Sequence, residues 1–209
     1  MVSADPAAPR EGVIERAATV LRDGGVVALP TETLYGLAVD GLNPEALARI
    51  NELKKKADDS PVLLLLAETD QVEAVSDRVP ELFRRLAQRF WPGPLTLVVP
   101  ARPDLPVQLS QGGTVAVRVP GLALPRRLAR GLGRPISGVS ANLNGQPPCR
   151  RAADVARVFA GSIEMILDGG STSGGAPSTI LDVSTPKPRV VRQGILPLSA
   201  LRPFLPNDR

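Results

Sequence analysis

Histidine is absent from the 209 residues, and cysteine occurs once, at Cys149. The first absence excludes Ser-His-Asp and Cys-His nucleophile pairs, the HExxH zinc site and any proton shuttle built on imidazole. The second excludes an internal disulfide and a cysteine-based metal cluster, and the lone thiol reads as incidental. Aromatic residues are only 3% of the chain, with one Trp and one Tyr, so the stacking platforms of single-strand RNA binders are largely missing. Long apolar runs are also missing. The longest nearly unbroken one, Val62 to Ala67, is far short of the ~20 residues of a membrane span and reads as a buried strand. Residues 1–10 contain no apolar segment, so they are expected to form a flexible tail, neither signal peptide nor anchor, on a cytoplasmic protein.

What remains for chemistry is Lys, Arg, Ser, Thr, carboxylates or a borrowed metal. A hydrophobic content of 43% with 22% charged residues suits one domain, residues 11–209, that buries its own core. Lys and Arg number 25 against 21 Asp and Glu, giving +4. Such a balance suits an anionic ligand, and with so few aromatics a small phosphorylated molecule fits better than a long nucleic-acid track.

Val13, Ile14, Ala17, Ala18 and Leu21 recur at helical spacing, and Gly24-Gly25 stops that helix. A strand follows over Val26 to Leu29. Asn43 and Pro44 open a second helix with Leu47, Ile50 and Leu53 as its buried stripe, ending in Lys54-Lys55-Lys56. Pro80 opens a third, carrying Leu82, Phe83, Leu86 and Phe90 and broken at Trp91-Pro92-Gly93-Pro94. Strand composition marks Leu95 to Val99, Val115 to Val119, Pro135 to Val139, Glu164 to Leu167, Thr179 to Val183 and Arg189 to Val191, with helical segments at 123–131 and 151–159. The alternation predicts an α/β fold. Because several strand-to-strand links lack a helix, the expected core is a twisted open sheet of mixed parallel and antiparallel strands flanked by helices.

Three polar stretches follow strands, where α/β proteins place ligands. Pro30-Thr31-Glu32-Thr33-Leu34-Tyr35-Gly36-Leu37 is either a site-forming turn or a plain turn whose hydroxyls satisfy the backbone. Ser140-Ala141-Asn142 points both polar side chains one way if extended, or caps the next turn. The run Asp168 to Gly175 can present N–H groups to phosphate, yet it matches neither a P-loop nor GxGxxG and alone reads as a mobile loop. Lys54, Lys56, Arg118 and Arg192 stand at element ends, where charges are commonly solvated. Arg84, Arg85 and Arg89, and Arg126, Arg127, Arg130 and Arg134, read as solvated helix faces with at most a weak contact to tRNA.

Taken together and in order, these pieces resemble the YrdC family over roughly residues 12–200. They are the Pro30 to Leu37 motif, Lys54-x-Lys56, Trp91-Pro92-Gly93-Pro94-Leu95-Thr96, Val115 to Pro120, Ser140-Ala141-Asn142, Ser178-Thr179-Ile180-Leu181-Asp182 and Arg192-x-Gly194. Each is weak alone, and their joint order is specific. The resemblance implies a threonylcarbamoyl-adenylate synthase of tRNA modification, acting on L-threonine, bicarbonate or CO2, and ATP, in the short single-domain form. It implies threonine binding by Thr33, Arg118 and Ser178, and ATP binding by Lys54, Lys56, Ser60, Thr114, Ser140, Asn142 and Arg192. Two departures stand out: lysine at position 56 where the family usually has arginine, and Leu65 where some members carry a histidine.

The chemistry so implied needs no imidazole. A carbamate of threonine attacks the α-phosphorus and expels pyrophosphate, with Mg²⁺ carried in on ATP and no general base identified. Later-acting threonylcarbamoyl transferases then carry the group to tRNA. The alternatives are a carbamoyl-adenylate-forming relative that uses carbamoyl phosphate, and an RNA-binding module without catalysis.

Overall fold

The computed structural model describes residues 1–55, 62–110 and 112–205. Helix α1 (Glu11–Arg22) buries Ile14, Ala17, Ala18 and Leu21, the stripe set by the sequence spacing. It stops where Gly24 takes a positive φ of 77°. Helix α2 (Pro44–Leu53) starts as expected: the Asn43 side chain accepts from the N–H groups of Glu45 and Ala46, and Pro44 fills the first position. The remaining helices are α3 (Glu81–Phe90), α4 (Ala123–Leu132), α5 (Ala152–Val158) and the short α6 (Leu198–Leu201).

The strands are β1 (Val2–Ser3), β2 (Val27–Pro30), β3 (Tyr35–Ala38), β4 (Leu64–Leu65), β5 (Leu95–Pro100), β6 (Thr114–Arg118), β7 (Ile136–Ser137), β8 (Val139–Ser140), β9 (Met165–Asp168), β10 (Thr179–Asp182) and β11 (Arg189–Arg192). They form a five-stranded sheet, β1-β9-β2-β3-β8, and a six-stranded sheet, β11-β10-β5-β6-β4-β7. Pairing is mixed, as expected. β1 with β9, β2 with β9, β5 with β10 and β4 with β6 run parallel, and the other neighbours run antiparallel.

Val26 and Ala28 face one apolar cluster, with Leu47, Phe83, Leu97 and Val117, whereas Val27 and Leu29 face another formed with α1 and α4. That two-sided burial explains why this stretch reads as a continuous apolar run rather than an alternating one.

The sheets meet at Ser137. Its buried hydroxyl donates to the Leu37 carbonyl at 3.1 Å and accepts from the Val39 N–H at 3.0 Å, and Asp40 bridges to Ile136. The segment expected as one strand over 135–139 is therefore two. Gly138 breaks it: its N–H donates to Leu63 at 2.7 Å, and a Cβ there would lie 2.7 Å from the Leu65 side chain. The chain leaves one sheet and enters the other at the only residue type that fits.

Two further expectations need correction. Residues 1–10 are not a loose tail: Val2–Ser3 pairs with Leu167 and Asp168, Ala4 is buried and donates to Asp168 at 2.8 Å, and Pro6 and Pro9 carbonyls accept from Leu124 and Arg127. Backbone pairing and carbonyl contacts hold this segment, and neither leaves a hydrophobic pattern in the sequence. The motif expected as a turn through Leu37 is a turn only to Leu34; Tyr35–Ala38 pairs with β2 as a hairpin.

Candidate functional site

Arg118 ends β6 and is buried, with 5% of its surface exposed. A buried guanidinium must be paired, and it is: Nε donates to the Gly93 carbonyl at 2.8 Å and Nη2 to Glu32 Oε1 at 2.6 Å. Glu32 comes from the β2–β3 turn, and its Oε1 also accepts from the Gly121 N–H. Gly93 belongs to the Trp91-Pro92-Gly93-Pro94 break after α3, so three motifs far apart in sequence converge on one cation. Trp91 anchors that break by donating from Nε1 to the Leu95 carbonyl at 2.7 Å while packing edge-on to Phe83.

The two readings of the Thr31-Glu32-Thr33 turn divide among its residues. Thr31 serves the backbone, its hydroxyl donating to the Leu34 carbonyl at 2.8 Å. Glu32 turns to Arg118, and Thr33 is buried at 6% exposure. The Asp168 to Gly175 run is tied down over this turn. Gly174 N–H donates to the Thr33 carbonyl at 2.8 Å, Ser173 Oγ donates to the Glu32 carbonyl at 2.6 Å, and the Tyr35 hydroxyl donates to the Gly170 carbonyl at 2.8 Å. Arg150 adds a bond from Nη2 to the Ser173 carbonyl at 2.7 Å. Burial raises the Tyr35 pKa, so the phenol stays a donor.

Ser178, buried, shares a hydrogen bond of 2.9 Å with the buried Thr96 hydroxyl. Its carbonyl accepts from Arg192 Nη2 at 3.0 Å. Arg192 ends β11, and its pKa is lowered, first by burial and then by the like charge of Arg118. The two guanidinium groups therefore lie within electrostatic reach of one another. Gly194 permits this turn, since a Cβ there would lie 2.1 Å from the Pro177 carbonyl oxygen and 2.5 Å from the Ser178 carbonyl carbon.

The Ser140-Ala141-Asn142 loop borders the same hairpin, because Ser140 pairs with Gly36 and Ala141 N–H donates to the Tyr35 carbonyl at 2.8 Å. Ser140 Oγ donates to Asn142 Oδ1 at 2.5 Å, and Asn142 Nδ2 donates to the Leu143 and Gln146 carbonyls at 3.0 and 2.8 Å, so Asn142 also ties down the turn that follows. Lys54, the C-cap of α2 and mostly buried, reaches in from the other side. Its ammonium donates to the Ser140 carbonyl, to the Asn142 carbonyl at 2.9 Å and to Asn142 Oδ1 at 3.1 Å.

Of the residues singled out from sequence, Arg118 and Arg192 act on one another, Arg192 bonds to Ser178, and Thr33 follows the Glu32 that pairs with Arg118, while Lys54, Ser140 and Asn142 are joined to each other beside the adjoining hairpin. Thr114 begins the strand that Arg118 ends, roughly 13 Å away at a strand's rise, and is not brought into the Arg118 cluster. Lys56 and Ser60 lie outside the described residues. Leu65 pairs in register with Arg118, and its side chain packs on Gly138. Sequence reasoning assigned no role to Glu32; the available signal was a lone carboxylate between two hydroxyl residues at a strand end.

Other candidates carry little. Cys149 is buried, and burial pushes its thiol pKa up, against thiolate formation. Arg127, Arg130 and Arg134 pair with Glu11, Glu68 and Asp40, as suits solvated helix faces. No group of three or more Cys, Asp or Glu side chains converges to hold a metal among the described residues, and no helix there is long and apolar enough to cross a membrane.

The Sua5/YciO/YrdC family profile, described as "Telomere recombination", matches residues 19–194. A threonylcarbamoyl-AMP synthase of Pyrococcus abyssi is 42% identical over 200 residues, covering 95% of this chain and 59% of that protein. One from Klebsiella pneumoniae is 36% identical over 189 residues, covering 89% of this chain and 97% of that protein. Among solved structures, P. abyssi Sua5 complexed with L-threonine superposes with a TM-score of 0.91 at 39% identity, over 97% of this chain and 60% of that one. This chain therefore spans about three-fifths of the P. abyssi protein's length.

Proposed function

The chain belongs to the Sua5/YciO/YrdC family, and on that premise we propose that it makes threonylcarbamoyl-AMP and pyrophosphate from L-threonine, bicarbonate or CO2, and ATP, for threonylcarbamoyladenosine modification of tRNA. The observation that carries this reading is the buried Arg118 guanidinium, held by Glu32 and the Gly93 carbonyl, with the Arg192 guanidinium, bonded to the Ser178 carbonyl, within its electrostatic reach. That is a place for a small hydroxylated carboxylate next to a phosphate. A relative solved with L-threonine bound shares this fold at 39% identity.

In this reading Arg118 holds the threonine carboxylate with a charge-assisted fork, while the buried hydroxyls of Thr33 and Ser178 line the rest of the amino acid. The ammonium gives one proton to water, the amine nitrogen then bonds to the carbon of CO2 and gives a second proton to water, and a carbamate with one N–H results. A carbamate oxygen then attacks the α-phosphorus of ATP, and the bond to the bridging oxygen breaks to release pyrophosphate. Positioning and charge neutralisation supply the catalysis. Arg192 faces the phosphates, and the Ser140-Ala141-Asn142 loop, fixed by Lys54, shapes the wall on which the nucleotide lies. Lys56, Ser60 and Thr114 remain assigned to ATP on the family resemblance alone. Mg²⁺ enters as a companion of the ATP phosphates, and no residue of the chain is assigned to it. Later-acting transferases consume the adenylate, and tRNA contact by the exposed arginines of α3 and α4 is weak.

The test is to incubate the protein with ATP, threonine and ¹³C-bicarbonate and follow the products by mass spectrometry. A new adenylate carrying one ¹³C is expected; AMP or ADP without it would overturn the assignment.

A further inference from the structure

Glu32 holds a charged oxygen that its known partners leave unexplained. Oε1 accepts from Arg118 and from the Gly121 N–H, whereas Oε2 is buried and without a hydrogen-bond partner among the described residues. A buried carboxylate oxygen without a donor is costly, and proteins keep such groups where a ligand supplies the donor. The surroundings hold the side chain in place. The Glu32 carbonyl accepts from Ser173 Oγ at 2.6 Å, the next carbonyl accepts from Gly174, and the side chain lies against Gly121, where a Cβ would come within 2.8 Å of Oε1. The side chain as a whole keeps 25% of its surface exposed while Oε2 itself is covered, so a ligand must part the contacts over Oε2 to reach it.

Resting on the reading above, we infer that Glu32 Oε2 accepts the α-amino group of the amino acid whose carboxylate Arg118 binds. An α-amino acid carries its two charges one carbon apart, so it needs an anion and a cation side by side. The 2.6 Å pair of Glu32 and Arg118 is that arrangement. Neutralising Arg118 requires Oε1 alone and leaves Oε2 without a purpose, whereas an amino-group contact uses both oxygens. The contact also survives the chemistry. When the nitrogen bonds to CO2 it keeps one N–H, which continues to donate to Oε2 and turns the new carbamate away from Glu32. Glu32 is thus a binding and positioning residue, and it admits amino acids while disfavouring hydroxy acids of the same shape.

The test compares L-threonine with 3-hydroxybutanoate, which has the same carboxylate and hydroxyl but no amino group, by calorimetric titration. The unaltered protein is expected to favour threonine by about tenfold or more, as for a hydrogen bond to a charged group, and Glu32→Gln to reduce that preference to about threefold or less. A purely structural role would weaken both ligands together and leave the ratio unchanged, which overturns the inference. Equal affinities in the unaltered protein overturn it without any variant. If the unaltered protein binds neither ligand, the threonine reading itself falls and takes this assignment with it.

Discussion

Lys54 closes its ammonium on both oxygens of Asn142, the carbonyl at 2.9 Å and Oδ1 at 3.1 Å, from a helix end more than eighty residues earlier in the chain. The lysine that the family resemblance assigns to ATP also clamps a loop in the folded chain. Lys54→Met should strip the part-buried Ser140 and Asn142 carbonyls of their charged donor and lower stability by about 1–3 kcal/mol, read by urea denaturation. It should also weaken ATP binding, because the loop loses its brace. An unchanged denaturation midpoint would refute the clamp.

Arg118→Ala removes the proposed carboxylate partner and strands Glu32. Truncating one member of a desolvated charge pair costs about 2–5 kcal/mol, so threonine affinity should fall roughly thirtyfold or more. Calorimetry giving affinity within a factor of two of the parent would remove Arg118 from the site.

Gly194→Ala tests the close approach of two backbones. With the Pro177 carbonyl oxygen 2.1 Å from the added carbon, the chain must shift, at about 1–3 kcal/mol for overpacking. The same shift displaces Ser178, so weaker threonine binding should accompany the lower stability. A variant that binds and melts like the parent would mean the turn relaxes without disturbing the site.

Glu164 should contribute to acid sensitivity. Burial pushes its carboxyl up, but hydrogen bonds from Arg49 and from the Val26 N–H outweigh that and hold its pKa below the ordinary 4.5. A folded-state pKa below the unfolded one means that the stabilisation is present above pH 4.5 and is lost as pH falls through the folded value. Between pH 7 and pH 3 the urea midpoint of the parent should therefore fall further than that of Glu164→Gln. Equal falls would show that Glu164 is not coupled to folding.

Much of this was legible in the sequence because it depends on local rules. The Asn43–Pro44 start of α2, the Gly24 stop of α1 and the apolar stripes of the helices follow from capping and periodicity. What local rules could not supply are the contacts made across the fold. Gly138 looks like any loop glycine until Leu65 is packed on it, and Glu32 looks like a turn residue until Arg118 arrives from β6. The glycine-rich run 168–175 reads as mobile because its restraints come from Tyr35, Arg150 and the Glu32 and Thr33 carbonyls, all remote in sequence. The docked N-terminal strand left no signal for the same reason: Val2 pairs with Leu167, far along the chain.

Pyrophosphate release from ATP, measured with threonine and bicarbonate present and then with each withheld, bears most directly on the proposed activity. The nucleophile at phosphorus is a carbamate made from both substrates, so release should require both and fall to background when either is omitted from CO2-free buffer. Equal release with threonine or bicarbonate left out would contradict the carbamate mechanism.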